Sequence, residues 1–380
     1  MKILHLLYES KGDPFGIGGV GIRAYEIYRR LQERHDVTLL CRKYPGARDG
    51  KVEGLRHIFV GAESRSLSKT LLSYAYRASE FVKRNGPDYD IVIEEFSPAI
   101  PTFYLFFLRK PVVLQVQGYT GKLYFRKYNP FFAVVLFLSE LLRTRLYTNF
   151  IFISREMMKK FYLKREKHSA VIPNGISSDL LDIPDEEQDY ILYIGRIDIY
   201  GKGLDILLEA YGKFFQSCPG IRLVIAGDGR DNERLQSILV TLPEKIRKNI
   251  ELPGWVSDEK KRSVFSKALL VVFPSRHEVQ PIAALEAMGS GKAVLVSDIP
   301  EFRFVTDIGA GAEFKAGDAG SLVRAMNDLL TRGGRKEMGQ RGREWVKDYT
   351  WDKIALKYEE FLYEIAGQAE SRGTCRGEHV

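Results

Sequence analysis

Cysteine, histidine and long apolar runs are all scarce in this chain, and each scarcity closes off a class of function. The three cysteines, Cys41, Cys218 and Cys375, lie far apart in 380 residues. Neither a disulfide framework nor a zinc spacing can be assembled from them, so a reducing interior is expected. The six histidines include no His-x-x-His or comparable ligand pattern. The longest lipid-like run, residues 131–138, is too short to span a bilayer. The first nine residues form too brief an apolar stretch for a signal peptide and carry no cleavage site, which points to a cytoplasmic setting.

What the chain does have is length enough for two cores and an uneven charge. Residues 1–172 hold 29 Lys/Arg against 16 Asp/Glu, a net +13, while the remainder is net −5. The two halves therefore suit different partners, and the basic half suits anionic lipid, a phosphate-bearing acceptor or nucleic acid, or is merely a solvated surface. The aromatic and basic stretch 118–128 suits sugar rings, lipid headgroups or plain sheet cover, and no nucleic-acid recognition signature accompanies it.

Apolar periodicity predicts alternating strands and helices in each half. In the first, strands are expected at 2–8, 36–41, 91–94, Val112–Val116 and 150–153, with helices at 20–34, 67–84 and 123–145. In the second, strands are expected at 191–195, Arg222–Ala226, 250–252, 269–273 and 293–297, and helices at Ala319–Thr331, 335–347 and 351–366 close the chain. This alternation implies an α/β protein of two Rossmann-like, doubly wound parallel-sheet domains facing a cleft. The expected division is 1–172 and 173–350, with helix 351–366 returning to the first domain and a disordered tail at 367–380.

Several motifs fall where strands end, the usual ligand side of an open α/β sheet. Gly16-Ile17-Gly18-Gly19-Val20-Gly21 matches G-x-G-x-x-G before a helix. It is a dinucleotide fingerprint, a phosphate-approaching loop or a simple tight turn, and Arg42 after the second strand fits only a phosphorylated ribose. Arg196 and Lys202 follow the first strand of the second half and flank a helix start, an arrangement suited to a diphosphate. Glu278 follows a later strand, and Glu286 lies on the next helix among Ala284, Leu285, Ala287 and Met288. A carboxylate in such company needs a partner, and a pair of sugar hydroxyls is one. Asp88-Tyr89-Asp90 has the spacing of a metal-binding D-x-D but precedes its strand, so it is read as a turn and no metal site is expected.

With these residues in order, the chain resembles the retaining GT-B glycosyltransferases of the E-x7-E family, the family 4-like group. Glu278 and Glu286 match the E-x7-E pair, Arg196 and Lys202 the arginine–lysine pair, and Gly18 and Gly19 the glycine-rich first loop. The stretches 171–175, 225–229, 254–259 and 273–275 also match in order. The resemblance implies hexose transfer from a nucleoside diphosphate sugar with retained configuration and no metal cofactor. Arg196 and Lys202 would neutralise the departing diphosphate, and Glu286 would hold the ribose hydroxyls. Gly254 and Val256 would border the base. Glu278, with Gln280, Pro281, Ile282 and Ala283, would surround the donor sugar. Glu95, Gln117, Gly118 and Tyr119 would face a glycan, lipid-linked or small-molecule acceptor. Peripheral membrane association through the basic half is a further expectation, and nucleic acid is not an expected partner. The chain departs from the family at Pro281, which lacks the N–H of the usual glycine, and at Gln117, which replaces a histidine. An NADP-linked oxidoreductase and a catalytically silent GT-B partner subunit stand as rival readings.

Overall fold

A computed structural model describes residues 1–13, 17–64, 66–102, 104–161, 167–331 and 333–374. The chain divides into two units, one of Met1–Asn174 together with the segment from Trp351 onward, the other Gly175–Thr350.

The first unit is built on an eight-stranded sheet. Its strands are β1 (Lys2–Leu7), β2 (Asp36–Arg42), β3 (Gly50–Val52), β4 (Leu55–Val60), β5 (Ile91–Glu95), β6 (Val112–Val116), β7 (Asn149–Phe152) and β8 (His168–Val171). They run in the order β3-β4-β2-β1-β5-β6-β7-β8, parallel throughout except for the β3–β4 hairpin. The central strands are buried on both faces, as continuous apolar runs in parallel sheets must be. The order reverses at β1, between β2 and β5, so a crevice is expected at the carboxyl ends of β1 and β5.

The second unit has six parallel strands: β9 (Tyr190–Ile194), β10 (Arg222–Ala226), β11 (Ile250–Gly254), β12 (Leu270–Phe273), β13 (Val294–Ser297) and β14 (Gly311–Phe314). Their order is β11-β10-β9-β12-β13-β14, with the reversal between β9 and β12. Apolar cores cover the sheet's two faces, one centred on Leu207, Phe214 and Val272, the other on Phe273, Leu285 and Val294. The unit is closed where the chain enters and leaves it, by Ile176 N–H donating to the Tyr349 carbonyl at 2.8 Å.

Four strands went unread in the sequence pattern, namely β3, β4, β8 and β14. All lie at or next to sheet edges and alternate or partly expose their residues, so none is continuously buried as the central strands are. The expected helix 123–145 is interrupted, with a short turn at Tyr124–Lys127 and the main helix at Pro130–Arg143, capped by Asn129 accepting from Phe132 N–H at 3.0 Å. Pro130 sits in that helix's first turn, where its missing N–H costs nothing.

The first unit extends through Asn174 rather than ending at residue 172. Fully buried Arg23 reaches from the helix Gly19–Leu31 to the Ile172 and Pro173 carbonyls and to Asn174 Oδ1, tying that segment to the first sheet. The last helix, Trp351–Thr374, packs on Gly19–Leu31 within the same unit. Tyr358 and Tyr28 hydroxyls meet at 3.2 Å, and Glu359 accepts from Arg34 at 2.7 Å and from His35 at 2.5 Å. This helix corrects the expected disordered tail, because it continues past Ala366 to Thr374; residues 375–380 lie outside the described residues.

Candidate functional site

The reversal in the second sheet brings the strand ends β9 and β12 side by side. Gly195 and Arg196 leave β9, while Pro274 and Ser275 leave β12. Lys202 stands one residue before Gly203, which caps the helix Leu204–Ser217 in a left-handed conformation at φ +68°. A Cβ at Gly203 would come 1.9 Å from the Pro274 carbonyl oxygen, so only glycine lets the two loops approach this closely. Arg276 braces the same junction by donating to Asp205 through both guanidinium arms at 2.8 Å and to the Tyr200 carbonyl at 2.8 Å.

Two loops far apart in sequence are thereby joined at Lys202 and Glu278. The Lys202 ammonium lies 2.5 Å from Glu278 Oε1, and Ser275 Oγ donates to the same oxygen at 2.7 Å. Glu278 is only 8% exposed, so this cation and hydroxyl are what make its charge tolerable there. Arg196 is exposed and, among the described residues, makes no ion pair. Tyr193 lies beneath it and donates to the Arg196 carbonyl at 2.8 Å. Burial, with lesser contributions from Glu278 and Asp198, pushes the Tyr193 phenol well above its usual pKa, so it stays a neutral donor.

Glu286 lies on the inner side of the helix Ile282–Gly289 and is paired with Lys261 of the helix Asp258–Ser266 at 2.8 Å. Pro281 occupies the cap position and accepts from Ala284 N–H at 3.1 Å. Its lack of an N–H therefore breaks no helical bond, and the amides of Ile282 and Ala283 still belong to the first turn, which has no intrahelical acceptor. Gln280 precedes that turn. Gly254 ends β11 at φ +74° and is followed by exposed Trp255 and buried Val256. The second unit thus carries Arg196, Lys202, Gly254, Val256, Glu278, Gln280, Pro281, Ile282, Ala283 and Glu286 at the ends of β9, β11 and β12, in the loops that follow them and on the helix Ile282–Gly289.

The first unit places its residues differently. Gly16 lies outside the described residues. Gly18 and Gly19 start the helix Gly19–Leu31, but Glu9 Oε2 already accepts from the Gly18 and Gly21 amides at 2.8 and 2.9 Å. Two of the loop's amides therefore have a carboxylate as partner. Arg42 is buried, ion-paired with Asp13 and bonded to Thr70 at 3.0 Å, so its charge is spent inside the fold rather than offered to a phosphorylated ribose. Glu95 is buried too and accepts from Gln115 and from Gln117, the latter at 2.9 and 3.1 Å, with His5 Nε2 3.2 Å away. Gln117 is thus held by Glu95. Gly118 is half-buried, and Tyr119 packs edge-on against Phe161. Asp90 accepts from Lys2 N–H at 2.7 Å, in keeping with a turn before β5.

Sequence reasoning missed Lys261, Ser275 and Glu9. Ser275 had a positional signal, two residues past a buried strand. Lys261 and Glu9 had none, since each meets its partner across a fold-dependent gap.

Comparison with known families decides what such a two-sheet arrangement belongs to. Residues 17–180 match the family model for Glycosyltransferase Family 4, and residues 182–345 match that for Glycosyl transferases group 1. The chain belongs with the family 4 and group 1 glycosyltransferases. It is 32% identical over 197 residues to a phosphatidyl-myo-inositol mannosyltransferase of Mycobacterium leprae, covering 48% of this chain and 50% of that protein. It is 29% identical over 237 residues to a lipopolysaccharide 1,2-N-acetylglucosaminetransferase of Salmonella typhimurium, covering 55% and 61%. The match thus spans about half of the first relative's length and three fifths of the second's. Among solved structures, sucrose-phosphate synthase from Thermosynechococcus elongatus superposes with a TM-score of 0.76 at 18% identity, over 97% of this chain and 99% of that one. HepE of Anabaena in complex with UDP-glucose gives 0.73 at 17% identity, over 96% and 100%. At these identities the likeness is one of fold, and the fold of this family member is GT-B.

Proposed function

We propose that this family 4-type chain transfers a hexose from a nucleoside diphosphate sugar to a glycan or lipid-linked acceptor, with retained configuration and without a metal ion. The reading is carried by the convergence of Lys202 and Glu278, with Arg196, at the carboxyl ends of β9 and β12. A diphosphate entering that crevice meets two cations and the start of the helix Leu204–Ser217, all of which favour developing negative charge. Its oxygens replace Glu278 on the Lys202 ammonium and leave the carboxylate beside the sugar. The E-x7-E spacing puts Glu286 one helix further on, where it takes the ribose hydroxyls as acceptor. The amides of Ile282 and Ala283 are suited to the sugar hydroxyls.

As the anomeric carbon–oxygen bond breaks, the electron pair goes to the β-phosphate oxygen, which Arg196 and Lys202 stabilise. The acceptor oxygen attacks from the same face, and its proton passes to the leaving phosphate oxygen. The basic first unit favours an anionic acceptor or a membrane surface that presents one. Structures of relatives in complex with UDP and UDP-glucose support a nucleotide-sugar donor.

A thermal-shift screen of UDP-, GDP- and ADP-sugars with NADPH as control tests the reading. Stabilisation by one nucleotide-sugar class, followed by release of the nucleoside diphosphate when acceptor is added, is the expected result. Stabilisation by NADPH alone would overturn it.

A further inference from the structure

The helix Pro130–Arg143 inverts the usual amphipathic arrangement. Phe131, Val134, Val135, Leu138, Leu141 and Leu142 lie on one arc of about 120° and are 42–77% exposed. The opposite side, turned into the protein, holds the polar contacts. Glu140 is buried and accepts from the Thr120 and Gly121 amides at 2.9 and 2.7 Å. Ser139 donates to the Pro98 carbonyl at 2.9 Å, and Arg143 donates to the Ser97 carbonyl and to Glu94, both at 2.8 Å. A helix anchored by its polar side, with its apolar side facing outward, has been folded to present that side to something.

Charge indicates what. From Ser97 to Arg155 the sequence has eight Lys/Arg and a single acid, Glu140, which is the residue turned inward. Burial raises the Glu140 carboxyl above its usual range, against the hydrogen bonds it accepts, so this element displays no compensating negative charge. Exposed Lys122 and Arg145 flank the apolar arc, and Phe125 and Tyr128 add exposed aromatic rings beside it. Aromatic and aliphatic side chains rimmed by cations match the boundary between acyl chains and anionic headgroups. No helix among the described residues is long and apolar enough to cross a membrane, so the helix would lie in the surface plane.

We infer that the outward face of Pro130–Arg143 seats this protein on an anionic lipid bilayer. This rests on the membrane association proposed above and adds the element that makes it; it does not depend on the donor chemistry. Such a contact holds the first unit against the surface from which a lipid-linked or membrane-proximal acceptor is presented.

Flotation of the full chain with vesicles of phosphatidylcholine alone, or mixed equally with phosphatidylglycerol, tests it. The wild type is expected to float with the mixed vesicles only. The double substitution Phe131→Ser/Leu138→Ser is expected to weaken that binding at least about tenfold, because two buried apolar side chains are lost. Arg145→Glu is expected to weaken it about twenty-fivefold, as two charges at about fivefold each. Both variants change exposed side chains, and an unaltered donor-induced thermal shift confirms that the fold and the donor site are intact. Binding of wild type and variants alike would overturn the role of this helix while leaving membrane association standing. No binding by the wild type would overturn both. A stable dimer in light scattering that the double substitution dissociates would make this face a contact between copies instead.

Discussion

Replacing Lys202 by alanine separates the two roles of its ammonium group. That group is 2.5 Å from Glu278, whose other partner is the Ser275 hydroxyl at 2.7 Å. Alanine leaves an almost buried carboxylate with one neutral donor, and an incompletely satisfied buried group costs about 1–3 kcal/mol. During transfer the loss is of another kind, because one of two cations that meet the leaving diphosphate is gone. Removing a single preorganised charge-stabilising contact lowers turnover by about two to three orders of magnitude, or ~2.7–4 kcal/mol. The two effects come apart in the double variant Lys202→Ala/Glu278→Gln, where neutralising the carboxylate restores stability but not turnover. Urea unfolding reads the first effect, and nucleoside diphosphate release under saturating donor reads the second. Wild-type turnover by Lys202→Ala would refute the leaving-group assignment.

Glu286→Ala should weaken donor binding by roughly tenfold to a hundredfold, the range for hydrogen bonds to a charged group. Lys261→Ala should affect it less, since Lys261 only holds Glu286 before the donor arrives; titration calorimetry with the stabilising nucleotide sugar compares the two. Transfer should be undiminished by EDTA, because Arg196 and Lys202 supply the positive charge, and strict dependence on an added divalent ion would count against that assignment. The Glu359 contact predicts a pH signature. Its burial opposes ionisation, but hydrogen bonds from Arg34 and His35 hold its carboxyl below the ordinary value of 4.5. Stabilisation from the ionised form is therefore complete above that value and is lost as the pH falls through the lower folded value. The stability gap between wild type and Glu359→Gln should narrow on acidification below about pH 4.5; a gap independent of pH would show that the contact is not ionic.

Much of the second unit was legible because its charged residues lie close to single strand ends and helix starts. Arg196, Lys202 and Glu278 each sit within a few residues of a buried apolar run, so the pattern of runs locates them at the ligand side of the sheet. The glycine loop was legible only in part, for the opposite reason. Its amides look available in sequence, but Glu9, which precedes the loop, folds back to occupy two of them. Arg42 likewise looks like a phosphate ligand until Asp13 is seen beside it.

The sequence by itself determined the alternation of strands and helices, the two-sheet architecture and the positions of the charged residues at strand mouths, because apolar periodicity and turn residues act over short stretches of chain. Only the tertiary structure decided which of those charges are already spoken for. It set Lys202 against Glu278 and Lys261 against Glu286, and turned Glu140 inward so that the apolar face of its helix looks out. Those outcomes depend on which strands become neighbours and how helices rotate about their axes. Both follow from packing the whole unit at once, since a carboxylate's environment is made by residues that sequence distance leaves unrelated.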